Sequence, residues 1–278
     1  MTNEMTLHCN KFIQTFETVI KTPKKSKSDV FYTGVDLGTA CIVLVVLGSD
    51  YQPVAGAYQY ANVVRDGMVV DYVGAVDIVR ELKEELEKKL GTTLVYAAAS
   101  LPPGTDGLDG GAIKNVVQSA GFELTNVLDE PTAANQLLGL TDGAVVDIGG
   151  GTTGIAILEN GKVVKVADEA TGGTHLSLVI AGNYKFNFEQ AEKYKRNVKH
   201  HDELLLVVKP VIQKISSIIS NQVKGYKVND IYLVGGTACL KGIETIIEKE
   251  TGIKTIKPIN PMFVTPIGIA LSCTNQVM

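Results

Sequence analysis

Four cysteines are all that this 278-residue chain carries, Cys9, Cys41, Cys239 and Cys273, and no two stand at CxxC spacing. No metal-ligand grouping surrounds them, and two lie inside apolar runs, which predicts buried free thiols in a reducing compartment. His8, His175, His200 and His201 form no set with Asp and Ser or Cys, so a hydrolytic triad has no support. Charge of one sign is also lacking. With 26 Lys and Arg against 30 Asp and Glu, the net charge is −4, and no face-wide basic surplus exists to neutralise nucleic-acid phosphates. The longest apolar run, Ala40 to Leu47, is too short to span a bilayer. The N-terminus lacks the charge, apolar core and small-residue cleavage site of a secretion signal. These absences predict a cytoplasmic protein with neither nucleic acid nor membrane as partner. At 45% hydrophobic and 20% charged residues, the composition is that of an ordinary globular protein, long enough for two domains with real cores.

What the chain does have is one chemical idea used twice. Asp36-Leu37-Gly38-Thr39 follows the apolar run Val30–Val35, and Asp147-Ile148-Gly149-Gly150-Gly151-Thr152-Thr153 follows Gly143–Val146. Each places a carboxylate at the end of an expected strand, then glycine, then a hydroxyl residue. Glycine lets backbone N–H groups approach a ligand closely, and such concavities bind phosphate oxygens. A neighbouring carboxylate suits a hydrated divalent cation held between protein and phosphates. Two such turns could grip one polyphosphate from both sides.

Around these turns the periodicity predicts a duplicated α/β chain. Met5, Cys9, Phe12, Ile13, Phe16 and Ile20 form an apolar stripe on one helical face, followed by the polar, proline-containing stretch Thr22–Asp29. Residues 1–29 therefore read as an amphipathic helix and linker. The helix is expected to dock on its own domain, to be disordered or, over residues 5–20, to serve as a docking element for another protein. Strands follow at Val30–Val35, Ala40–Leu47 and Val54–Tyr60, then a helix from Gly74 to Leu90, a strand Thr93–Ser100, a helix Gly111–Ala120, a strand Phe122–Leu128 and a helix from Pro131 to Leu140. At Gly143 the order restarts, with strands through Ala167 joined by an Asn160-Gly161 hairpin turn. Helices Thr174–Ala181, Phe188–Lys195 and Glu203–Lys224, the strand Asp230–Val234, a helix Leu240–Glu250, a strand Ile253–Ile256 and a helix near Pro266–Leu271 complete it. The expected domains are 30–142 as a first lobe and 143–278 as a second, with a small outer subdomain and a ligand cleft between the halves.

These residues resemble the superfamily of actin, sugar kinases and DnaK-like chaperones. Asp36–Thr39 and Asp147–Thr153 are similar to its two phosphate motifs, Asp129-Glu130-Pro131-Thr132-Ala133-Ala134 to its first connecting helix, Leu233–Ala238 with Ile243 to its adenosine motif, and Thr265–Ala270 to its second connecting helix. All five stand in the family's order. Within the superfamily, Val64–Gly67, Leu101–Asp106, Val127–Ala133 and Asp168–Gly173 resemble the ethanolamine-utilisation protein J family, a compact DnaK-like group.

The resemblance implies an actin-like, ribonuclease H-like ATPase fold holding ATP or ADP with Mg2+. Asp36 and Asp147 would orient the ion through its waters, and Gly38, Thr39, Gly149, Gly150, Gly151 and Thr152 or Thr153 would hold the phosphates. Glu130 would position the attacking water, with Asp129 as its competitor. Gly172 and Gly173 would approach phosphates or sugar at a helix start, Glu192 and Lys195 would hold the ribose and stack on adenine, and Gly235 and Gly236 would complete the adenine side. The implied function is an ATP-dependent chaperone or assembly factor for protein clients of an ethanolamine-utilisation microcompartment. The helper lysine of DnaK-like chaperones has no evident counterpart, since Arg65 aligns too loosely, and Ala40 stands where a second hydroxyl is usual. Weak ATPase activity or ATP-driven lobe closure is therefore the expectation. With the chain ending after Leu271, no separate peptide-binding domain is expected, and the clients of a chaperone would bind the body, the cleft rim or the N-terminal helix. A filament-forming scaffold, a nucleotide-sensing adaptor and a small-molecule kinase remain the alternatives.

Overall fold

A computed structural model describes residues 2–24, 28–65, 67–104, 108–274 and 276. Residues 25–27 of the expected linker, Asp66, and Thr105 and Asp106 of the family-like stretches lie outside the described residues. The chain divides into two compact units, residues 1–139 together with 263–278, and residues 140–262.

The first unit opens with helix α1 (Thr2–Lys21) and a sheet of β1 (Tyr32–Leu37), β2 (Cys41–Leu47) and β3 (Pro53–Tyr60). A small separate ribbon, β4 (Val64–Arg65) with β5 (Met68–Val69), leads to α2 (Tyr72–Leu90). Then come β6 (Tyr96–Leu101), α3 (Leu108–Ser119), β7 (Glu123–Asp129) and α4 (Glu130–Leu138). The strand order is β3-β2-β1-β6-β7. The alternation of β1 and β6 sends Val35, Leu37, Ala97, Ala99 and Leu101 into one core with Val76, Val79, Leu82 and Leu86 of α2. Asp71 starts α2 by accepting from Gly74 N at 2.9 Å, and Gly91, at φ +70°, ends it.

The second unit repeats the plan with β8 (Gly143–Ile148), β9 (Thr153–Glu159) and β10 (Lys162–Glu169), then α5 (Gly173–Tyr184), α6 (Phe188–Arg196) and α7 (His201–Val223). It closes with β11 (Asp230–Val234), α8 (Ile243–Thr251) and β12 (Lys254–Ile256), in the order β10-β9-β8-β11-β12. In both sheets the first strand is central, flanked by an antiparallel meander on one side and parallel strands on the other. The duplicated α/β architecture expected from the sequence is the one observed.

Two boundary expectations need correction. The chain changes unit at Gly139/Leu140 instead of 142, and the last helix, α9 (Val264–Ser272), belongs to the first unit instead of closing the second. It packs on β1 and α4, and Ser272 O accepts from Asn126 Nδ2 of β7 at 3.2 Å. The N-terminal helix is likewise part of the first unit. Cys9, Ile13 and Phe16 are fully buried, the Phe16 ring fills the space that a side chain at Gly56 of β3 would occupy, and it meets Phe263 edge-on at 5.1 Å. Cys9, Phe12, Ile13 and Phe16 of the stripe are thus covered within the first unit, as the internal-docking alternative expects; the side chain of Met5 lies outside those described. Among the described residues, no helix is long and apolar enough to cross a membrane.

Candidate functional site

Both glycine turns are built alike. Each carboxylate lies within its strand, because the ladder continues past it: Asp36 pairs with Val43 and Asp147 with Gly154. After each strand a glycine amide closes the turn, Gly38 N donating to Cys41 O at 3.1 Å and Gly149 N donating to Thr152 O at 3.0 Å. Asp36, Gly38 and Thr39 are half-buried, whereas Asp147 is buried.

The second turn is held from one side only. Gly149 O accepts from Gly173 N at 3.0 Å and from Thr237 Oγ1 at 2.7 Å, and Gly150 O accepts from Thr174 N at 2.7 Å. In a trans peptide the N–H points opposite to the C=O. With both carbonyls turned toward α5, the amides of Gly150 and Gly151 point the other way, and neither has an acceptor among the described residues. Two successive amides facing one side make a concavity for an oxyanion, in the turn that follows Asp147 and Ile148. The first amides of α5 are spent on the turn's carbonyls, so the start of this helix at Gly172 and Gly173 buttresses the second glycine turn.

Of the two candidate hydroxyls, Thr153 is ruled out. It is fully buried and donates to Thr171 O at 2.6 Å, because it begins β9 and points into the unit. Thr152 stays in the turn. Glu192 and Lys195 share a helix face, but neither forms a solvated pair nor stands open to a ligand. Lys195 Nζ donates to Glu192 Oε1 at 2.6 Å, Ser177 Oγ at 2.7 Å and Gly173 O at 2.9 Å, and Ser177 Oγ also contacts Glu192. Burial lowers the Lys195 pKa while the Glu192 carboxylate opposes that shift. This network ties α6 to the first turn of α5. Gly235 is buried, with its amide donating to Pro261 O at 3.0 Å; Gly236 is exposed. In the first unit, Asp129 caps α4 by accepting from Thr132 N at 2.9 Å, which leaves Glu130 as the first helical residue.

Sequence reasoning missed Thr237, Ser177 and His201. Thr237 directly follows Gly235-Gly236, and Ser177 stands four residues after Gly173, so both were within reach of helical spacing; nothing marked His201. Its ring bridges two segments: Nδ1 accepts from Lys241 N at 3.1 Å and Nε2 faces Lys195 O at 3.0 Å. That pattern requires the neutral ring with its proton on Nε2. Burial depresses the His201 pKa and Lys257 and His200 add to this, against the Lys195 carbonyl and Asp202. The unfolded chain therefore binds the proton more readily, so stability holds above the ordinary histidine value of about 6.5 and is lost as pH falls below it. We expect the unfolding midpoint of the wild-type protein to drop more between pH 7 and pH 5.5 than that of His201→Gln. Parallel pH profiles would disprove the assignment.

Two sheets of matched order, each with a carboxylate near the end of its central strand and a glycine turn after it, define an actin-like ATPase fold. A sequence profile described as type IV pilus assembly protein PilM matches residues 131–266. The crystal structure of ethanolamine utilization protein EutJ from Carboxydothermus hydrogenoformans superposes with a TM-score of 0.90 at 47% identity, covering 96% of this chain and 98% of that one. The structure of MreB5 of Spiroplasma citri bound to ADP shares the fold, with a TM-score of 0.70 at 18% identity over 86% of this chain and 95% of that one. Ethanolamine utilization protein EutJ of Escherichia coli K12 is 44% identical over 261 residues, 94% of this chain and 92% of the relative. The chain belongs to the EutJ family.

Proposed function

We propose that this protein binds ATP or ADP with Mg2+ at the Gly149–Gly151 turn and acts as an ATP-dependent chaperone or assembly factor for ethanolamine-utilisation proteins, in the cytoplasm or at their microcompartment. The observation that carries the nucleotide is the one-sided bonding of the turn, which aims the Gly150 and Gly151 amides away from α5. A phosphate oxygen fits two such amides. Magnesium keeps most of its waters, so one or two carboxylates with phosphate oxygens are enough to hold it. When bound, the ion neutralises charge on the phosphates.

In this reading Asp147 orients the hydrated ion, Thr152 adds a hydroxyl, and Gly172, Gly173 and Thr237 keep the turn in shape. Lys195 and Glu192 act by fixing α6 against α5, while Gly235 and Gly236 flank the adenine side. By its like construction we read the turn at Asp36, Gly38 and Thr39 as a phosphate-binding turn of the first unit, with Glu130 as the residue that would orient water for a slow hydrolysis.

Calorimetry tests this directly. Wild-type protein should bind ATP and ADP, and Asp147→Asn should weaken the magnesium complex about tenfold or more, by about 1.4 kcal/mol, with little change when magnesium is chelated. Absence of nucleotide binding by the wild type would end the proposal. For the assembly role, the set of ethanolamine-utilisation proteins that co-purifies should change between ATP and ADP; an identical set in both states would reduce the function to binding alone.

A further inference from the structure

Two buried hydroxyls in the first unit lack a partner among the described residues, Thr33 Oγ1 and Ser100 Oγ, and the second stands at the sheet end where the carboxylates gather. Ser100 is 3% exposed, and its Oγ makes no hydrogen bond among the described residues. Buried hydroxyls without partners are uncommon, because stripping one of water costs free energy that nothing returns. An apolar residue would have been the stable choice here, as it is at the neighbouring Ala97, Ala98 and Ala99, all fully buried.

The register explains where this hydroxyl sits. β1 and β6 run parallel, with Gly34 beside Ala98 and Val35 beside Ala99, where their ladder ends; Asp36 and Ser100 are the next residue on each strand and so alternate onto the face of Gly34 and Ala98. Paired residues on neighbouring strands share a face and stand about 4.8 Å apart. The face is identified by its other members: a Cβ on Gly34 would meet Ala270 N of α9 at 2.5 Å, whereas Ala97, Ala99 and Leu101 turn to the opposite core. On the other side of β6, Ser100 pairs with Leu128 and Leu101 with Asp129, so Glu130 follows at the same end of the sheet. Three parallel strands thus bring Asp36, Ser100 and the start of α4 to one edge, and Asp129 is already occupied by capping Thr132 N.

We propose that Ser100 Oγ donates its proton to a water molecule shared with the Asp36 carboxylate, and that this water belongs to the hydration shell of the magnesium ion when Mg·ATP binds. Ser100 is then a positioning residue for the hydrated ion. The inference rests on the nucleotide reading above and goes beyond it by assigning the fixed water on the first unit to a residue outside both glycine turns.

The test compares wild type, Ser100→Ala and Ser100→Cys, the last keeping the shape while offering only a weak donor. ATP affinity is measured by calorimetry with magnesium and with a chelator, and unfolding midpoints are taken without nucleotide. Both variants should bind Mg·ATP about tenfold more weakly, bind ATP without magnesium as the wild type does, and unfold no earlier, since an unsatisfied hydroxyl has been removed. Wild-type Mg·ATP affinity in both variants would overturn the role of Ser100 and leave nucleotide binding standing. Equal losses with and without magnesium, or a loss in Ser100→Ala that Ser100→Cys restores, would assign Ser100 to packing. Failure of the wild type itself to bind ATP would remove both readings.

Discussion

Gly268→Ala should destabilise the first unit by about 3 kcal/mol or more, although alanine is the better helix former. Helices α4 and α9 cross where Gly268 faces Ala133 and Ala134. A Cβ at Gly268 would stand 1.9 Å from Ala133 O, 2.7 Å from its carbonyl carbon and 3.3 Å from Ala134 Cα. All three atoms are backbone, so no side-chain rotation relieves the overlap. The helices must separate, and around the crossing Ala133, Ala134, Ile267, Ile269 and Ala270 are all fully buried. Opening a close-packed crossing loses contacts on both helices at once. For a unit of this size, 3 kcal/mol lowers the unfolding midpoint by about 6–12 °C. Gly182→Ala is the matched control. It lies on α5 with nothing within 4 Å of its would-be Cβ, so its midpoint should hold or rise. A Gly268→Ala midpoint within about 2 °C of wild type would show that the crossing has room to spare.

The two glycine turns were legible because their information is local. An apolar run, a carboxylate and a glycine adjoin in the chain, and the ladder pairs of Asp36 and Asp147 are set by the same few residues. The preference for Glu130 over Asp129 came from the family's Glu-Pro-Thr-Ala pattern, and in the structure Asp129 spends its carboxylate on capping α4. What could not be read is which surface covers which. The stripe of α1 was visible, but its complement is the missing side chain of Gly56, on a strand that the chain reaches only after the linker. The return of α9 to the first unit depends on Gly34, Asn126 and Ala133, all distant in sequence. Glu192 and Lys195 were correctly placed on one face, yet the carbonyl of Gly173 and the hydroxyl of Ser177 that draw the ammonium inward belong to another helix. The same holds for Thr153, whose carbonyl partner at Thr171 lies beyond β10. Periodicity reports that a face is buried and leaves the identity of its partner to tertiary packing.

Gly235→Ala should damage nucleotide binding more than Asp147→Asn, because it displaces the whole turn and not one carboxylate. β11 runs beside β8 with Val234 next to Asp147, so the residue after Val234 arrives against the end of β8. Gly235 has φ +89°, a conformation that costs an L-residue about 1–2 kcal/mol. A Cβ there would stand 2.2 Å from Asp147 Oδ1, 2.6 Å from Ile148 O and 2.8 Å from the Ile148 carbonyl carbon. Rotating Asp147 away answers only the first of these contacts and removes the carboxylate from the ion. The other two are backbone atoms of the residue that leads directly into Gly149, so relieving them shifts the amides of Gly150 and Gly151. Mg·ATP affinity in calorimetry should therefore fall about a hundredfold or more, equivalent to about 2.7 kcal/mol, and binding without magnesium should fall as well. Asp147→Asn, which spares the amides, should leave the magnesium-free binding nearly intact. Wild-type affinity in Gly235→Ala would mean that the phosphates are not held by Asp147 and the Gly149–Gly151 turn.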